Sequence, residues 1–310
     1  MDAMAVVGID VSKDRLDVCV RPTGEAFSVS RDATGIEGLI GHLAGLTLRV
    51  IALEATGGFE TVVAASLSAA SLPVVVVNPA QVRAFAQAMG RRAKTDVIDA
   101  AVIAHFAEAT RPEPRPLPDA DTQMLADLVS RRRQIIQMIV AERQREKRAA
   151  RRMKKSILRL LKALQGELSE IDQEIDQAVR GSPAWREKED LLSSVPGVGP
   201  TIARTLIAEL PELGTLDRRQ IAALAGLAPW TRQSGQWRGK SFIGGGRATV
   251  RSALFMGALT AARWNPILKA FHQRLINAGK PKMVAIIATA RKLLTILNAI
   301  LRDKSEWQIA

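Results

Sequence analysis

Four carboxylate residues in the first third of the chain stand out because of their surroundings. Asp10 interrupts an apolar stretch, VVGIDVS, and Glu54 ends another, RVIALEATG. Asp96 and Asp99 lie three residues apart in KTDVIDAAVIAHF, which places both on one face at the start of a helix. An ionised carboxylate among apolar residues costs several kcal/mol unless it is paired, and only Lys13 is close in sequence to Asp10. The four acids therefore indicate a site that binds positive charge.

Carboxylate oxygens are the ligands that Mg²⁺ and Mn²⁺ prefer, and two such ions can clamp the attacking and leaving oxygens of a phosphodiester. The acids thus predict a two-ion site for phosphoryl transfer. Asp96 alone also has an ordinary explanation, as an acid stabilised by a helix dipole, but this does not account for the other three. A sugar-kinase-like ATPase begins with a similar strand and aspartate, yet it needs a D-x-G phosphate turn, and no such triplet occurs here.

A second stretch whose residues could take part in chemistry, residues 222–254, is polar, glycine-rich and basic. Tryptophans interleaved with cations suit base stacking and phosphate contact. The candidate nucleic-acid-binding residues in this loop are Trp230, Arg232, Trp237, Arg238, Lys240 and Arg247. The loop also contains two serines, Ser234 and Ser241, and Ser234-Gly235 taken alone predicts only a turn.

Residues 191–210, LLSSVPGVGPTIARTLIAEL, have the pattern of a helix, a turn and a second helix. The pattern is similar to the helix-hairpin-helix motif. In that motif the backbone of two glycines, here Gly197 and Gly199, approaches a DNA phosphate, and N–H groups of the second helix bind it. Such contact would not depend on DNA sequence. An ordinary turn between helices is the alternative.

The elements that must position the acids alternate along residues 1–112. Strands are predicted over VVGIDVSKDRLDVCVRP, FSVSRD, RVIALEAT and PVVVVNP, and helices over the segments that follow the last three. This order predicts a mixed α/β sheet covered by helices. RPEPRPLPDAD, residues 111–121, contains four prolines and marks a domain boundary.

Beyond the boundary, residues 113–182 are predicted to form a helical connector, because Leu and Ile recur at helical spacing over about sixty residues. One or two long helices, paired as a coiled coil or a hairpin, would fit. Residues 131–159 hold 12 basic and 2 acidic side chains, so they form either a solvated face or one that follows phosphates. Residues 183–310 are predicted to be a mainly α domain.

Composition narrows the class of protein. The 310 residues include no tyrosine, one cysteine and three histidines, which excludes a tyrosine nucleophile, an internal disulfide and a multi-cysteine zinc site. Residues 1–112 contain 10 basic and 12 acidic side chains, whereas residues 113–310 contain 34 and 19. This excess predicts a polyanionic partner, and favours nucleic acid over an anionic membrane surface. Because no apolar run reaches 18 residues and no signal peptide pattern is present, we expect a cytoplasmic protein.

Three segments, GIDVSKDRLDVCV, ALEATGGFE and VVNPAQVRAFAQAMGRRAKTDVIDAAVIA, resemble the N-terminal domain of the IS110 family of insertion-sequence transposases. These are DEDD recombinases related to the Piv DNA invertases. The resemblance implies a RuvC-like domain of RNase H fold. It also implies that the metal-binding catalytic acids are Asp10, Glu54, Asp96 and Asp99.

The resemblance extends to the loop in the C-terminal half. The family pattern G-L-x-P…S-G…R is present as Gly226–Pro229, Ser234-Gly235 and Arg251. In the family, a serine of this domain is the nucleophile and becomes covalently linked to DNA. Ser234 is the matching position, with Ser241 as the fallback, because the loop spacing and the GGGR segment at 244–247 depart from the family pattern.

The family also implies a coiled-coil connector and a homo-oligomer, a dimer or a tetramer. Its active site would combine the acids of one protomer with the serine of another. A structured guide RNA encoded by the element would bridge donor and target DNA. Two other functions remain open from the residues: a RuvC-like endonuclease that uses metal and water with no covalent step, and a nucleic-acid-binding scaffold with vestigial acids.

Overall fold

The computed structural model describes residues 4–91, 96–114, 119–231 and 233–308, with the backbone alone at 96–98 and at Arg238. The chain divides into two compact units, Met1–Pro118 and Asp119–Ala310. Asp96 is therefore described only as a backbone position, and Arg232 lies outside the described residues.

Unit 1 is a five-stranded mixed sheet with helices on both faces. In chain order its elements are β1 (Ala5–Val11), β2 (Arg15–Arg21), β3 (Glu25–Ser30), α1 (Ala33–Ala44), β4 (Leu48–Glu54), α2 (Phe59–Ala69), β5 (Val74–Val77), α3 (Pro79–Ala88) and α4 (Asp96–Thr110). The strand order is β3-β2-β1-β4-β5. β1 pairs antiparallel with β2 and parallel with β4, and β5 continues the parallel side. The predicted mixed α/β sheet is confirmed.

Alternation along β1 assigns its side chains to two helical layers. Val7 and Ile9 pack in one core cluster with residues of α1 and α2, whereas Val6 packs with α4. Gly8 faces α4 so closely that a Cβ atom there would lie 2.2 Å from the Ala104 nitrogen. The missing side chain thus lets α4 pack directly on β1.

Cys19 of β2 lies on the same face as Gly8, because the two residues are paired in the register of β1 and β2. Its side chain is buried against Ala100 and Ala104 of α4. Burial raises the pKa of the Cys19 thiol, although Arg21 and Arg91 act in the opposite direction. The thiol is therefore a small packing group of the sheet face.

Unit 2 is mainly helical. Its elements are α5 (Ala120–Arg148), α6 (Arg151–Gly181), α7 (Pro183–Ser193), α8 (Pro200–Glu209), α9 (Arg218–Leu224), β6 (Gln233–Ser234), β7 (Trp237–Arg238), α10 (Ala248–Trp264), α11 (Pro266–Asn277) and α12 (Lys282–Asp303). The prediction of a mainly α C-terminal part is confirmed.

The predicted connector forms a helical hairpin, α5 and α6, that bends at Ala149 and Ala150. Both alanines are extended, with ψ of 141° and 150°, although alanine is the best helix former. The apolar faces of the two helices pack together through a cluster that includes Ile135, Ile139 and Leu161. Burial of these faces outweighs the local propensity for one continuous helix.

The ends of this hairpin belong to the core of unit 2. Leu125 and Val179 share one hydrophobic cluster with Leu206 of α8 and Leu293 of α12. The structure therefore groups the predicted connector with the C-terminal helices, and the three-part division into 1–112, 113–182 and 183–310 stays a prediction. By length and composition α12 could span a membrane, but half of its apolar window is buried inside the protein, as in a core helix.

Candidate active site

Asp10 and Glu54 lie side by side at one edge of the unit 1 sheet. β1 and β4 run parallel, and Ile9 pairs with Leu53, so Asp10 and Glu54 are the next residues on their strands. Because side chains alternate, both carboxylates lie on the face of Gly8, which is the face that α4 covers. Both residues are half-buried. The strand register thus brings together two acids that are 44 residues apart in sequence.

The direction of α4 brings its first turns to the same edge. Near its C-terminal end, Glu108 bonds to Arg21 at 2.7 Å, and the carbonyls of Ala107 and Glu108 accept hydrogen bonds from Arg49 at 3.2 and 3.1 Å. Arg49 lies near the start of β4, so α4 runs antiparallel to β1 and β4. Its N-terminal end, with Asp96 and the half-buried Asp99, therefore lies at the edge of Asp10 and Glu54.

The donor chemistry of this edge suits a hard divalent cation, since carboxylate oxygens are the ligands that such ions prefer. Among the side chains that the structure describes, no three of the acidic, cysteine or histidine type are close enough to hold one ion. The Asp96 side chain is not among those described. The edge therefore fits a metal by the type of its ligands and by their topology, with Asp10, Glu54 and Asp99 as the described candidates.

A fifth acid on the same face, Asp17, was missed in the sequence. Asp17 pairs with Asp10 across β1 and β2 and is only 2% exposed. Its carboxylate accepts hydrogen bonds from Ser28 Oγ at 2.6 Å and from Arg15 Nε at 2.9 Å. The signal was an acid within the apolar strand RLDVCV, the same pattern that drew attention to Asp10. Asp17 is thus a buried carboxylate compensated by one hydroxyl and one guanidinium.

In unit 2, Ser234 lies at the turn of a small β-hairpin. β6 and β7 pair antiparallel with Ser234 opposite Trp237, and Gly235 turns the chain with φ of 57°. A further bridge between Trp230 and Phe242 extends the pairing, and the two rings stack with centroids 6.3 Å apart. Part of the stretch predicted to form a loop therefore forms a β-hairpin, with its turn at Gly235. Cross-strand aromatic contacts stabilise such ribbons where the residue pattern alone shows only a turn.

Both candidate serines are exposed. The Ser241 hydroxyl lies 3.5 Å from Thr231 Oγ1, whereas the Ser234 hydroxyl makes no hydrogen bond to the described residues. No histidine or carboxylate of the described hairpin bonds to either serine. The hairpin therefore presents Ser234 to solvent and leaves its activation to groups elsewhere.

The predicted nucleic-acid-binding residues of the hairpin fall into two groups. Trp230 and Trp237 are 57% and 59% exposed, and Lys240 is also exposed, so all three are accessible to a ligand. Arg247 instead bonds within the protein: its Nη2 donates to Glu212 at 2.7 Å and its Nη1 to the Glu209 carbonyl at 3.1 Å. A phosphate contact by Arg247 would compete with these bonds. The side chains of Arg232 and Arg238 are not described.

The base of the hairpin is fixed by a close backbone crossing. A Cβ atom at Gly226 would lie 2.2 Å from the Gly245 carbonyl oxygen, and one at Gly246 would lie 2.3 Å from the Gly226 nitrogen. Arg251 Nη1 donates to the same Gly245 carbonyl at 2.6 Å. The glycines and the arginine of this region therefore hold the two ends of the hairpin segment together.

The two glycines of the 191–210 motif have different surroundings. Gly197 has φ of 106°, and a Cβ there would lie 2.7 Å from the nitrogen of Ala261 in α10. Gly197 thus permits packing of the α7–α8 turn on α10, whereas Gly199 is exposed with open space beside it. The turn therefore has one glycine directed into the protein and one accessible to a phosphate.

Beside this turn, the start of α8 lines a cavity of about 440 Å³ shared with α5, α6 and α10. Thr201 and Thr205 of α8, Thr249 and Ser252 of α10, and Arg133 contribute polar groups to its wall. Arg133 donates to the Thr249 hydroxyl. Hydroxyl groups, guanidinium groups and the first turns of two helices can bind an anion, and the one carboxylate of this wall, Asp172, is paired with Arg132.

Comparison with known proteins links this chain to mobile-element enzymes. A family model described as a transposase, of the DEDD type from IS110 elements, matches residues 7–154. A second, for the transposase IS116/IS110/IS902 family, matches residues 189–273. The "Pilin gene-inverting protein" of Moraxella bovis is 30% identical over 309 residues, covering 96% of this chain and 95% of its own.

Two further relatives are likewise a gene-inverting protein and a protein of an insertion element. The "Pilin gene-inverting protein" of Moraxella lacunata is 29% identical over the same coverage of both chains. An uncharacterized 43.6 kDa protein of insertion element IS110 from Streptomyces coelicolor is 31% identical over 121 residues, which is 38% of this chain and 30% of that protein. The Moraxella proteins align with both units, and the shorter match covers a part of the chain.

Proposed function

Because the chain belongs to the IS110 family of transposases, we propose that this DNA transposase or recombinase joins strands by metal-dependent phosphoryl transfer with a serine nucleophile. The observation that carries the proposal is the convergence of Asp10, Glu54 and the start of α4 at one edge of the sheet. The alignment of both units with recombination proteins supports strand exchange over simple binding.

We assign unit 1 to the RuvC-like RNase H fold. The strand order β3-β2-β1-β4-β5, with β2 as the antiparallel strand between β1 and β3, supports this assignment. The acids at the ends of β1 and β4 and at the start of α4 have the order D-E-D-D. In this proposal the fold serves to hold them at one edge.

The residues that would hold Mg²⁺ or Mn²⁺, as two ions in this proposal, are Asp10, Glu54, Asp96 and Asp99. When bound, such an ion supplies positive charge to phosphate oxygens and lowers the pKa of a coordinated hydroxyl. The role of the chain is to place the acids on rigid strands and a packed helix. Beside Asp10, the bond from Arg15 to the Asp17 carboxylate would balance the negative charge of Asp17.

In the proposed reaction, the Ser234 oxygen attacks the phosphorus of a DNA phosphodiester. A serine O–P bond forms, the P–O bond to one sugar breaks, and the released sugar oxygen takes a proton. The phosphoserine ester keeps the bond energy, and a hydroxyl end of another strand then attacks it and frees the serine. A free serine hydroxyl is a weak nucleophile, so Ser234, which bonds to none of the described residues, would lose its proton to a group outside the described hairpin.

Further features support DNA as the substrate. Exposed Trp230 and Trp237 offer ring faces to bases, and exposed Gly199 with the α8 cavity offers sites for phosphates. The family further supports a coiled-coil character of α5 and α6, a guide RNA, and a dimeric or tetrameric state with sites shared between protomers. The helix-hairpin-helix assignment and the cytoplasmic location are proposed from the sequence pattern. A bound guide RNA would use the same basic unit 2.

The experiment that tests this mechanism is covalent trapping on DNA. A nicked element-end substrate should give a protein–DNA adduct with the wild type, and Ser234→Ala should give none while it still binds DNA. Ser241→Ala is the matched control, because the same hydroxyl is removed from the same hairpin. An adduct that is lost only in Ser241→Ala would assign the nucleophile to that residue.

A metal-and-water endonuclease without a covalent step is the second candidate. It is favoured by the lack of any base bonded to Ser234 among the described residues. Cleavage by Ser234→Ala at the wild-type rate, with no adduct in either protein, would establish this alternative. Absence of divalent-ion-dependent cleavage in the wild type would instead favour a binding scaffold.

A further inference from the structure

A groove of about 530 Å³ lies between α9, α11 and α12, away from the serine hairpin in sequence. Its wall contains four cationic side chains, Arg218 and Arg219 at the start of α9 and Arg291 and Lys292 in the middle of α12, together with Phe271 of α11. We call it the cationic groove. Residues 282–303 of α12 lie outside both segments matched by family models.

The acid beside the cationic groove is Asp217, whose pKa is lowered first by backbone N–H groups of Gln220 and Arg219 and then by the charges of Arg219 and Arg218. The lining of the groove contains no carboxylate, and none of its four cations forms an ion pair within the described part of the chain. The nearest acid in sequence, Asp217, caps α9, and its carboxylate accepts hydrogen bonds from the backbone N–H groups of Arg219 and Gln220 at 2.6 and 2.9 Å.

Other partly buried arginines of unit 2 do have partners. Arg204 bonds to Asp176 and Glu189, each at 2.7 Å, and Arg247 bonds to Glu212. Cations are therefore paired where they serve the packing of this unit. The four groove cations, none of which has an ion-pair partner among the described residues, repel each other, and an external anion would reduce that repulsion.

The groove cations are held by a rigid support. Arg291 and Lys292 are half-buried, and the neighbouring Leu293 and Leu294 are fully buried in the core. Lys292 Nζ lies 4.6 Å from the centroid of the Phe271 ring, which orients the ammonium group. Cations whose positions are already fixed lose less conformational entropy when an anion binds.

The side chains that line the cationic groove indicate which kind of anion would bind there. One small anion could not neutralise four cations, whereas a chain of phosphates can, with release of condensed counterions. The faces of Phe271 are near Lys292 and Arg274 instead of open for base stacking, so the groove offers positive charge without an aromatic platform. The groove therefore suits a sugar–phosphate backbone without dependence on base sequence.

We propose that the cationic groove binds the backbone of duplex DNA. The choice of DNA as the polyanion rests on the proposed function, since the family supports DNA as the substrate. In this role the groove is a non-specific anchor separate from the serine hairpin. It adds binding energy and salt dependence, and takes no part in bond breaking.

The test compares two double variants of the full chain that lose the same charge. Arg291→Gln/Lys292→Gln removes two groove cations. Arg302→Gln/Lys304→Gln removes two cations of the same C-terminal segment that pair with Asp303 and Glu187. Binding of a random-sequence DNA duplex is measured by fluorescence anisotropy over a range of salt concentrations, and circular dichroism verifies folding.

The groove variant should bind more weakly by roughly tenfold for each lost contact at about 0.1 M salt, and its salt slope should fall by about two. The control variant should match the wild type. If the groove variant does not fold, Arg218→Gln/Arg219→Gln, on the exposed start of α9, replaces it. Arg291→Lys/Lys292→Arg keeps both charges and should retain affinity.

Equal binding by groove and control variants would overturn the proposal, as would a loss confined to RNA in a parallel titration with an RNA of the same sequence. Failure of the proposed function has a different signature. A wild type that forms no adduct and exchanges no strands, but whose salt slope still depends on Arg291 and Lys292, would refute the serine mechanism and leave the groove assignment intact.

Discussion

At the scale of single residues, each acid at the sheet edge is unfavourable for folding, but together the acids form the proposed metal site. Asp10 and Glu54 lie next to each other on strands that are otherwise buried, and Asp99 approaches from α4. Carboxylates brought together in this way repel each other, which raises the free energy of the folded state. In the proposed function this arrangement serves to bind a positive ligand.

We therefore expect Asp10→Asn and Glu54→Gln to abolish strand cleavage while DNA binding survives. Each substitution keeps the shape of the side chain and removes one negative charge, so the melting temperature without metal should stay the same or rise. Cleavage assays in Mg²⁺, anisotropy and thermal melts measure the three quantities. Full cleavage by either variant would refute the assignment of the acids.

Gly8 offers a second prediction at this scale. Gly8→Ala would place a Cβ against the backbone of α4, at 2.2 Å from the Ala104 nitrogen, and should destabilise unit 1 by about 1–3 kcal/mol. Because α4 begins with Asp96 and contains Asp99, cleavage should fall as well. Chemical denaturation gives the free energy of unfolding.

Gly38 of α1 is the matched control for Gly8. A Cβ there meets nothing within 4 Å, so Gly38→Ala should stabilise the helix by up to about 1 kcal/mol. A destabilised Gly38→Ala, or a Gly8→Ala protein as stable as the wild type, would contradict the packing described for α4.

At the scale of elements, Arg204 of α8 links two other helices. It bonds to Asp176 of α6 and to Glu189 of α7, each at 2.7 Å. The hydrogen bond from Arg204 holds the pKa of Asp176 below its usual range, and Arg180 adds to the effect. The α5–α6 hairpin is thereby connected to the helices that contain the 191–210 motif.

The lowered pKa predicts the sign of a pH effect. The folded protein binds the Asp176 proton more weakly than the unfolded chain does, so this contribution is present above the ordinary pKa of 3.8 and is lost as the pH falls below it. Asp176→Asn should lower the melting temperature at neutral pH, and the difference from the wild type should shrink below about pH 4.

Asp190→Asn on α7 is the control for this titration, because Asp190 is exposed and forms no ion pair with the described residues. Its melting temperature should follow that of the wild type across the same range. A deficit in Asp176→Asn that persists unchanged in acid would show that the contact stabilises the protein without a charge.

Much of the element pattern could be predicted from the sequence. Runs such as PVVVVNP and the apolar stretch around Asp10 depend on burial, which the sequence displays directly. The break at Ala149–Ala150 could not be predicted, because it results from packing between residues far apart in the chain. The same holds for Arg247, whose bond to Glu212 35 residues earlier is a tertiary contact. Asp17 was visible as an acid in a strand but was not recognised.

At the scale of the whole molecule, charge is divided between the two units. Residues 1–112 hold 10 basic and 12 acidic side chains, and the remainder holds 34 and 19. Unit 1 contains the acids of the proposed chemistry, and unit 2 contains the exposed tryptophans, the α8 cavity and the cationic groove. In the proposed function, the metal-binding acids thus belong to unit 1, whereas the serine and most of the DNA-binding groups belong to unit 2.

This division predicts where nucleic-acid affinity resides. A fragment of residues 1–118 should bind DNA weakly and with a shallow salt slope, whereas residues 119–310 should retain most of the affinity and the steep slope of the full chain. Anisotropy titrations over several salt concentrations measure both. Binding by the first fragment as tight as that of the whole chain would contradict the division.

The buried thiol of Cys19 has a practical consequence. Packed between β2 and α4, with a pKa raised by burial, it stays protonated and poorly accessible to thiol reagents. Because Cys19 is the single cysteine of the chain, a Ser234→Cys protein would have one exposed, reactive thiol, and Cys19 would react little with the same reagent. A fluorophore or a disulfide cross-link to thiol-modified DNA could then be attached at the hairpin turn alone, so the chain is already prepared for site-specific labelling.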